Sequence, residues 1–584
     1  PSRRPVRPGK RQKQDVQPFR FAVGWAAIEQ QALPATGYQT MRIRIHQLVV
    51  PLDYEAHEVI RAAAGRLGRP AWTLSDVTVL RRSVDARKRR DAPVFVLSIE
   101  AELAGEAPKL AEGQVEIVPA APPSQPPVEV QHQPAVPVNL GGPRVVVVGA
   151  GPAGLMAALA LAEAGLSPLV IERGGAVEQR SGQVGRFWHA GLLDPECNAL
   201  YGEGGAGLFS DGKLTSRSKD RPRVRRMLDT LVRCGAPADI LVEAEPHLGS
   251  DMLRRIVPVL RGLILAAGGE VRFGARLDGL EIEAGKLRAV HVGDERIAVS
   301  ACVLATGHSA RDVYRMLHAA GVTLEAKAFA VGLRAELPQR LIDQAQWGKW
   351  AGHRRLGAAS FRLTRPDTPT ARPCYTFCMC PGGVVISCAS EAGMLTTNGM
   401  SLAARDGRHG NAGFLAPVGP ADYPQPRPDL PAELAGLAFQ ADIESRAFQA
   451  GGADYSLPAA RLTDFLSGSA GGDLPDDRSC TRSKPADLRT VLPEFVTRTL
   501  VEAMPEMLSR QRGVVPEDVT LYAAETRTSS PVRVLRGPTG ESPAAAGLFP
   551  AGEGAGYAGG IISSGVDGLR AAEGVMEMLV LWHA

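Results

Sequence analysis

Residues 143–174, PRVVVVGAGPAGLMAALALAEAGLSPLVIERG, constrain the fold of this chain more than any other stretch. A β-branched apolar run over 144–148 leads directly into Gly149-Ala150-Gly151-Pro152-Ala153-Gly154, and small apolar residues continue at helical length to Ala164. Strand, glycine turn and helix make the first half of a nucleotide-binding βαβ unit. Gly149 permits the tight turn, Gly151 removes the side chain that would block a pyrophosphate, and Gly154 lets helix and strand pack closely. The helix N-terminus at Pro152 and Ala153 turns unpaired N–H groups and a partial positive charge toward the phosphates. A second strand over 167–171 ends in Glu172-Arg173, about 20 residues past the glycines, where an acid accepts hydrogen bonds from ribose hydroxyls. The stretch by itself leaves both FAD and NAD open as the nucleotide.

Later segments narrow that choice. Residues 201–214, YGEGGAGLFSDGKL, are dense in glycine, which loses the most backbone entropy on folding and is kept where the main chain approaches a ligand or takes unusual dihedrals. A loop lying against a flat aromatic ring is expected here, with Gly204, Gly205 and Gly207 in its backbone and Ser210 and Lys213 as polar contacts; a purely structural Ω-loop is the alternative. Residues 269–307 read as a meander with strands at 271–273, 280–283, 287–292 and 297–299, followed by an apolar strand over 301–305. In FAD domains of the two-dinucleotide-binding type such a meander caps the sheet, and the last strand brings a small-residue turn, here Ala305-Thr306-Gly307, to the cofactor; this analogy favours FAD. Near the C-terminus, a strand ending in Gly552-Glu553 would set an acid on the ribityl chain. A helix opening around Gly559, Gly560 and Ile561 would aim its N-terminus at the flavin's pyrimidine edge and stabilise the reduced anion.

The remaining chain divides around this nucleotide domain. Residues 1–40 form a basic tail rich in Arg, Lys, Pro and Gln without an apolar period, expected to be disordered. Residues 41–119 read as a small βαββ module of ferredoxin-like α+β type, with a basic run at 81–90, RRSVDARKRR, between its last two strands. That run is either a solvated hairpin loop or a surface for RNA, an acidic partner or a phosphorylated ligand. Residues 120–142 are a Pro-rich linker. The FAD-binding domain is expected over 143–326 and again over 522–584, interrupted at 327–521 by an inserted α+β domain on the substrate side. The overall expectation is an α/β Rossmann-like FAD-binding domain of the two-dinucleotide-binding type, with that insertion and the small N-terminal module.

Composition excludes several classes. A charged fraction of 22% and a hydrophobic fraction of 45% describe a globular chain, and a net charge of +4 over 584 residues argues against a dedicated nucleic-acid protein. No apolar run reaches the roughly 18 residues of a membrane span, and the eight cysteines lack the spacing of a disulfide scaffold, so a cytoplasmic location is expected. Cys374, Cys378 and Cys380 lie close together; buried strand cysteines are the main reading and a redox or metal role the lesser one, with no metal site assigned.

Six strings in order carry a family resemblance: GEGGAGLFSDGKL (202–214), ATGHSARD (305–312), FCMCPGG (377–383), TNGMS (397–401), ETRTSSPVR (525–533) and GEGAGYAGGIISSGVDG (552–568). Together they resemble the bacterial FAD-dependent dehydrogenase family, from about Met41 to the C-terminus. Leu208 and Gly565 depart from its pattern. The resemblance implies FAD binding and redox chemistry, with no substrate specified.

Three activities remain open. The first is a dehydrogenase or reductase that moves hydride through flavin N5 to or from a small organic substrate, with NADH or NADPH as a transient donor or an electron carrier as partner. The second is a flavin monooxygenase. The third is an RNA- or protein-binding flavoprotein that uses the basic N-terminal module. Acid–base and substrate-holding candidates are His308, His247, Arg311, Glu525 and Arg527, with His308 first because it directly follows the turn on the cofactor side. Each histidine could equally fix a loop, and each arginine could equally form an internal ion pair.

Overall fold

Strict alternation in VFVLSIEAELA builds the centre of a small antiparallel sheet, because every second side chain of a strand meets the same face. The computed structural model describes residues 40–87, 90–105, 113–119, 144–216, 218–423, 430–469, 472–480 and 482–583, which fall into two units. The expected basic tail and Pro-rich linker lie outside the described residues, as do the centre of the basic run at 88–89 and part of the Pro-rich span at 424–429.

The first unit holds β1 (Thr40–Pro51), the helix Ala56–Leu67, β2 (Leu74–Asp85), β3 (Val94–Ala104) and β4 (Val115–Val118), in the sheet order β2-β3-β1-β4. All its pairings are antiparallel. Ile43, Ile45, Leu97, Ile99 and Leu103 of its strands and Val59, Ala63 and Leu67 of its helix are all buried. Arg81 and Arg82, expected in a turn, lie on β2, because the strand continues to Asp85. Residues 237–244 belong to this unit: Arg82 exchanges backbone hydrogen bonds with Val242 and Ala244, and its guanidinium holds Glu243 at 2.5 Å.

The second unit contains β5 (Arg144–Val148), β6 (Leu169–Glu172), β7 (Glu270–Phe273), β8 (Gly279–Glu283), β9 (Lys286–Val292) and β10 (Glu295–Leu304). β7, β6, β5 and β10 run parallel, and the first half of β10 pairs antiparallel with β9. Two expectations are corrected here. The strand at 271–273 joins the parallel sheet beside β6, and the strands expected at 297–299 and 301–305 are one strand, which serves the meander with its first half and the nucleotide sheet with its second.

The chain then makes a long excursion through β11 (Leu324–Ala326), β12 (Phe329–Pro338), β13 (Thr364–Arg365), β14 (Cys374–Cys380), β15 (Val384–Cys388), β16 (Thr396–Met400), β17 (His409–Val418), β18 (Leu457–Arg461), β19 (Ser483–Pro485), β20 (Thr520–Glu525) and β21 (Val532–Val534). Seven of these form a sheet in the order β13-β14-β17-β12-β20-β18-β19, β15 and β16 form a hairpin, and β11 pairs antiparallel with β21. The expected boundary at residue 521 falls inside β20. Nearly every residue of β12 and β17 is buried, since helices such as Glu494–Leu508 cover this sheet. β22 (Leu548–Pro550) returns to pair in parallel with β10, and the helix Ile561–His583 packs along the helix Pro152–Glu163. Among the described residues no helix is long and apolar enough to cross a membrane.

Candidate active site

The glycines of the first turn are required by what surrounds them. Gly149 has φ +98°, and a Cβ there would stand 2.4 Å from the Ala305 carbonyl oxygen; a Cβ on Gly154 would stand 1.8 Å from the carbonyl oxygen of Gly149. Gly151 is different, because its missing Cβ would meet only the Gly205 Cα, at 3.8 Å. The loop at 202–207 therefore lies against the turn with backbone facing backbone. It is held there by Arg180, which is fully buried and donates to the carbonyls of Asn198, Ala199, Glu203 and Gly205 at 2.7–2.9 Å.

Between these elements runs a cleft of about 1520 Å³, including its open mouth. Its floor is Gly149, Gly151, Pro152 and Ala153 with Gly205, Gly207 and Ser210; Glu172 and Arg173 line it, as do Ala305, Thr306, Gly307 and His308. Lys213, Glu525 and Arg527 also line it, and Gly552, Glu553, Gly560 and Ile561 close it at the last helix. Five expected residues do not line it. Gly154 packs beneath the turn, Gly204 donates its N–H to the Ala150 carbonyl at 2.8 Å, and Gly559 accompanies Ser563 at the helix start. His247 bonds the Ala403 carbonyl at 3.0 Å, and Arg311 is buried against Glu444 at 2.9 Å.

This cleft fits an extended dinucleotide. One helix N-terminus, at Pro152, opens beside the bare backbone of Gly151 and Gly205, and a second, at Ile561, meets the same cleft. The Glu172 carboxylate already accepts the N–H groups of Ala150, Gly174 and Gly202 at 2.8, 2.9 and 3.1 Å, so it ties both glycine segments together. A carboxylate has about four lone-pair positions, which leaves one for a ribose hydroxyl. Arg173 bonds Glu196 and Asp312 and lies 4.3 Å over the Tyr201 ring.

At the far end His308 Nε2 stands 3.4 Å from the Glu553 carboxylate, which also accepts the Gly560 N–H. Burial, with Arg527 and Lys327 nearby, outweighs Glu553 and lowers the His308 pKa, so the imidazole is neutral at pH 7. Glu525 is gripped by Arg334 at 2.6 and 2.9 Å, and Arg334 also donates to Asn411 and Asn398. Arg527 forks onto Glu444 at 2.8 and 2.9 Å, and the same carboxylate accepts Thr526 Oγ1 at 2.7 Å. Burial alone would raise Glu444, yet Arg311 and Arg527 hold it down to about 2. Both arginines considered as substrate forks are thus engaged in ion pairs. Lys213 donates across the cleft to the Met379 carbonyl on β14.

Sequence reasoning missed Arg180, Arg334 and Glu444. Arg334 carried a usable signal, as a lone cation inside the apolar strand FAVGLRAELP. Cys374 and Cys380 are buried on β14 as expected of strand cysteines, but Cys378 is half-buried and lines the cleft. Among the described residues no group of three or more metal-ligating side chains is placed to hold an ion.

Residues 144–236 match the FAD dependent oxidoreductase family, 328–528 match the C-terminal domain-like family of FAD-dependent proteins, and 42–102 match a domain of unknown function. An uncharacterised protein of Clostridium beijerinckii is 39% identical over 541 residues, spanning 92% of this chain and 99% of that one. A probable electron transfer flavoprotein-quinone oxidoreductase of Escherichia coli is 30% identical over 167 residues, 28% of this chain and 36% of the relative. Among solved structures, the FAD complex of glycerol-3-phosphate dehydrogenase from Bacillus halodurans aligns over 75% of this chain and 65% of its own, at 10% identity and a TM-score of 0.32.

Proposed function

This chain belongs to a family of FAD-dependent oxidoreductases, and from that premise we propose that it holds FAD in the cleft described above and moves a hydride to or from a small organic substrate. The observation that carries this reading is the side-chain-free floor at Gly151 and Gly205, set between two helix N-termini in one continuous cleft. FAD supplies two-electron chemistry at its isoalloxazine ring when bound.

The residues of the chain supply the rest. The N-terminus at Pro152 binds pyrophosphate, and Glu172 orients the ribose. The N-terminus at Ile561 stabilises negative charge at its end of the cleft. His308, a neutral imidazole beside Glu553 with Ser309 Oγ 3.4 Å from its Nδ1, exchanges a proton with substrate. Glu525 and Arg527, immobilised by Arg334 and Glu444, form a rigid polar wall.

Electrons would enter from NADH or NADPH bound transiently, or from an electron carrier, as the name of the Escherichia coli relative suggests. The eight free thiols favour the cytoplasm. The test is anaerobic stopped-flow absorbance of the FAD-loaded protein at the flavin's visible band, mixed separately with NADH and NADPH. Bleaching by one of them supports a nicotinamide-fed reductase. Absence of FAD from protein purified and reconstituted with excess cofactor would overturn the reading.

A further inference from the structure

We propose that Cys378 and Cys380 form a redox-active dithiol in the wall of the cofactor cleft, able to reduce a low-molecular-weight disulfide. The inference goes beyond the flavin reading and depends on thiols the chain itself contains.

The backbone prepares the pair. On β14, Phe377 pairs with Gly413 and Cys380 pairs with Asn411, so three steps on one strand match two on the other and one residue is extra. Cys378 sits in that bulge with φ +45°, a left-handed conformation in which a non-glycine residue is strained. In a regular strand, residues two apart are separated by roughly 6.6 Å, near the upper limit for a disulfide. The bulge breaks that regular spacing, and Cys378 lines the cleft together with Lys213, Asn398 and Glu525.

The surroundings distinguish the two sulfurs. Cys380 is fully buried and its Sγ donates to the Cys378 carbonyl at 3.2 Å. The space it occupies exists because residue 399 is glycine: a Cβ there would stand 2.8 Å from the Cys380 Sγ and 2.4 Å from Arg334 Nη1. The adjacent Cys380 side chain, aided by the Lys213 and Arg334 charges, outweighs burial and holds Cys378 down to about 7, while Cys380 is pushed upward. Burial raises the remaining thiols: Cys302, Cys374, Cys388 and Cys480 to about 12, Cys234 to about 11, and Cys197 as well. An accessible thiolate beside a buried protonated thiol is the arrangement of an attacking and a resolving cysteine.

The chemistry balances with a disulfide RS–SR as oxidant. The Cys378 thiolate attacks one sulfur, forming a mixed disulfide and expelling RS⁻, which takes a proton from solvent. The Cys380 sulfur then attacks the Cys378 sulfur and expels the second RS⁻, which leaves with the Cys380 proton. The protein loses two electrons to form the Cys378–Cys380 disulfide, and the substrate leaves as two thiols. A two-electron reductant, the class of chemistry a flavin site provides, restores the dithiol.

The experiment treats the FAD-loaded protein, held without oxygen, with glutathione disulfide, followed by acid quench, alkylation and intact mass measurement. Wild type should lose two alkylatable thiols without gaining glutathione, and the peptide holding both cysteines should be lighter by two hydrogens. Cys378→Ser should not react, and Cys380→Ser should retain one glutathione. Cys388→Ser should behave as wild type. The proposal fails if wild type keeps all its thiols, or accumulates glutathione as Cys380→Ser does. The peptide measurement on wild type decides the matter even if the buried Cys380→Ser variant does not fold, and neither reading depends on whether flavin reduction by a nicotinamide succeeds.

Discussion

Arg334 and Glu525, 191 residues apart, meet as a bidentate pair at 2.6 and 2.9 Å, with the guanidinium wholly buried and the carboxylate facing the cleft. Removing one member strands the other charge in the interior. Arg334→Met is expected to destabilise the protein by about 3–5 kcal/mol, read as a lower urea midpoint, and the double change Arg334→Met with Glu525→Leu should recover much of that loss. Additive losses would show that the two do not act as a pair.

Glu444 makes acid stability sensitive to one carboxylate. Its carboxyl ordinarily titrates at 4.5 and is held at about 2 in the folded chain, so the stability it contributes is present above pH 4.5 and is lost as the pH falls toward 2. The difference amounts to about 3 kcal/mol. Glu444→Gln should lower stability at neutral pH and flatten its decline on acidification, as measured by urea unfolding at a series of pH values.

The glycine floor predicts two different kinds of failure. Gly151→Ala places a methyl group in the open cleft, so the protein should fold while FAD affinity drops by about tenfold or more, equivalent to ~1.4 kcal/mol, in a fluorescence titration. Gly154→Ala drives a methyl group into the Gly149 carbonyl and should yield little folded protein. Equal behaviour of the two variants would contradict the distinction.

His308→Ala should retain FAD and slow anaerobic flavin reduction by about 10²-fold. Because burial and two cations lower its pKa, the imidazole protonates only below its ordinary value of 6.5, and reduction should be insensitive to pH around neutrality. Glu553→Gln removes the opposing charge and should move any inflection further toward acid. Unchanged reduction kinetics in His308→Ala would remove this residue from the chemistry.

The turn at Gly149 to Gly154 was legible because strand, turn and helix are contiguous, although the neighbour that requires Gly149, Ala305, lies far along the chain. The end of β10 at Leu304 was legible for a similar reason, within one residue, as an apolar run stopping before Thr306-Gly307. Arg180 and Glu444 were not, since a buried charge is tolerated only through partners that folding supplies from distant segments, and nothing beside Glu444 in ADIESRAF announces Arg311 or Arg527. Cys378 was misplaced by the period-two rule because a single extra residue in β14 resets that rule locally. The ion pairs of Arg311 and Arg527 stood as alternatives in the sequence, and only the position of Glu444 decides for them.

The excursion that carries β12 to β20 begins and ends at one short antiparallel ladder, β11 against β21, with Leu324 opposite Val534 and Ala326 opposite Val532. Neighbouring strands lie about 4.8 Å apart, so the entire excursion closes across a gap no wider than that at the base of a hairpin. The cofactor cradle is therefore a socket and the excursion a plug. An insertion of different length or chemistry, ending in strands that form the same ladder, would exchange the cleft wall that carries Cys378 and Glu525 while the glycine turn, Glu172 and the last helix stayed in register.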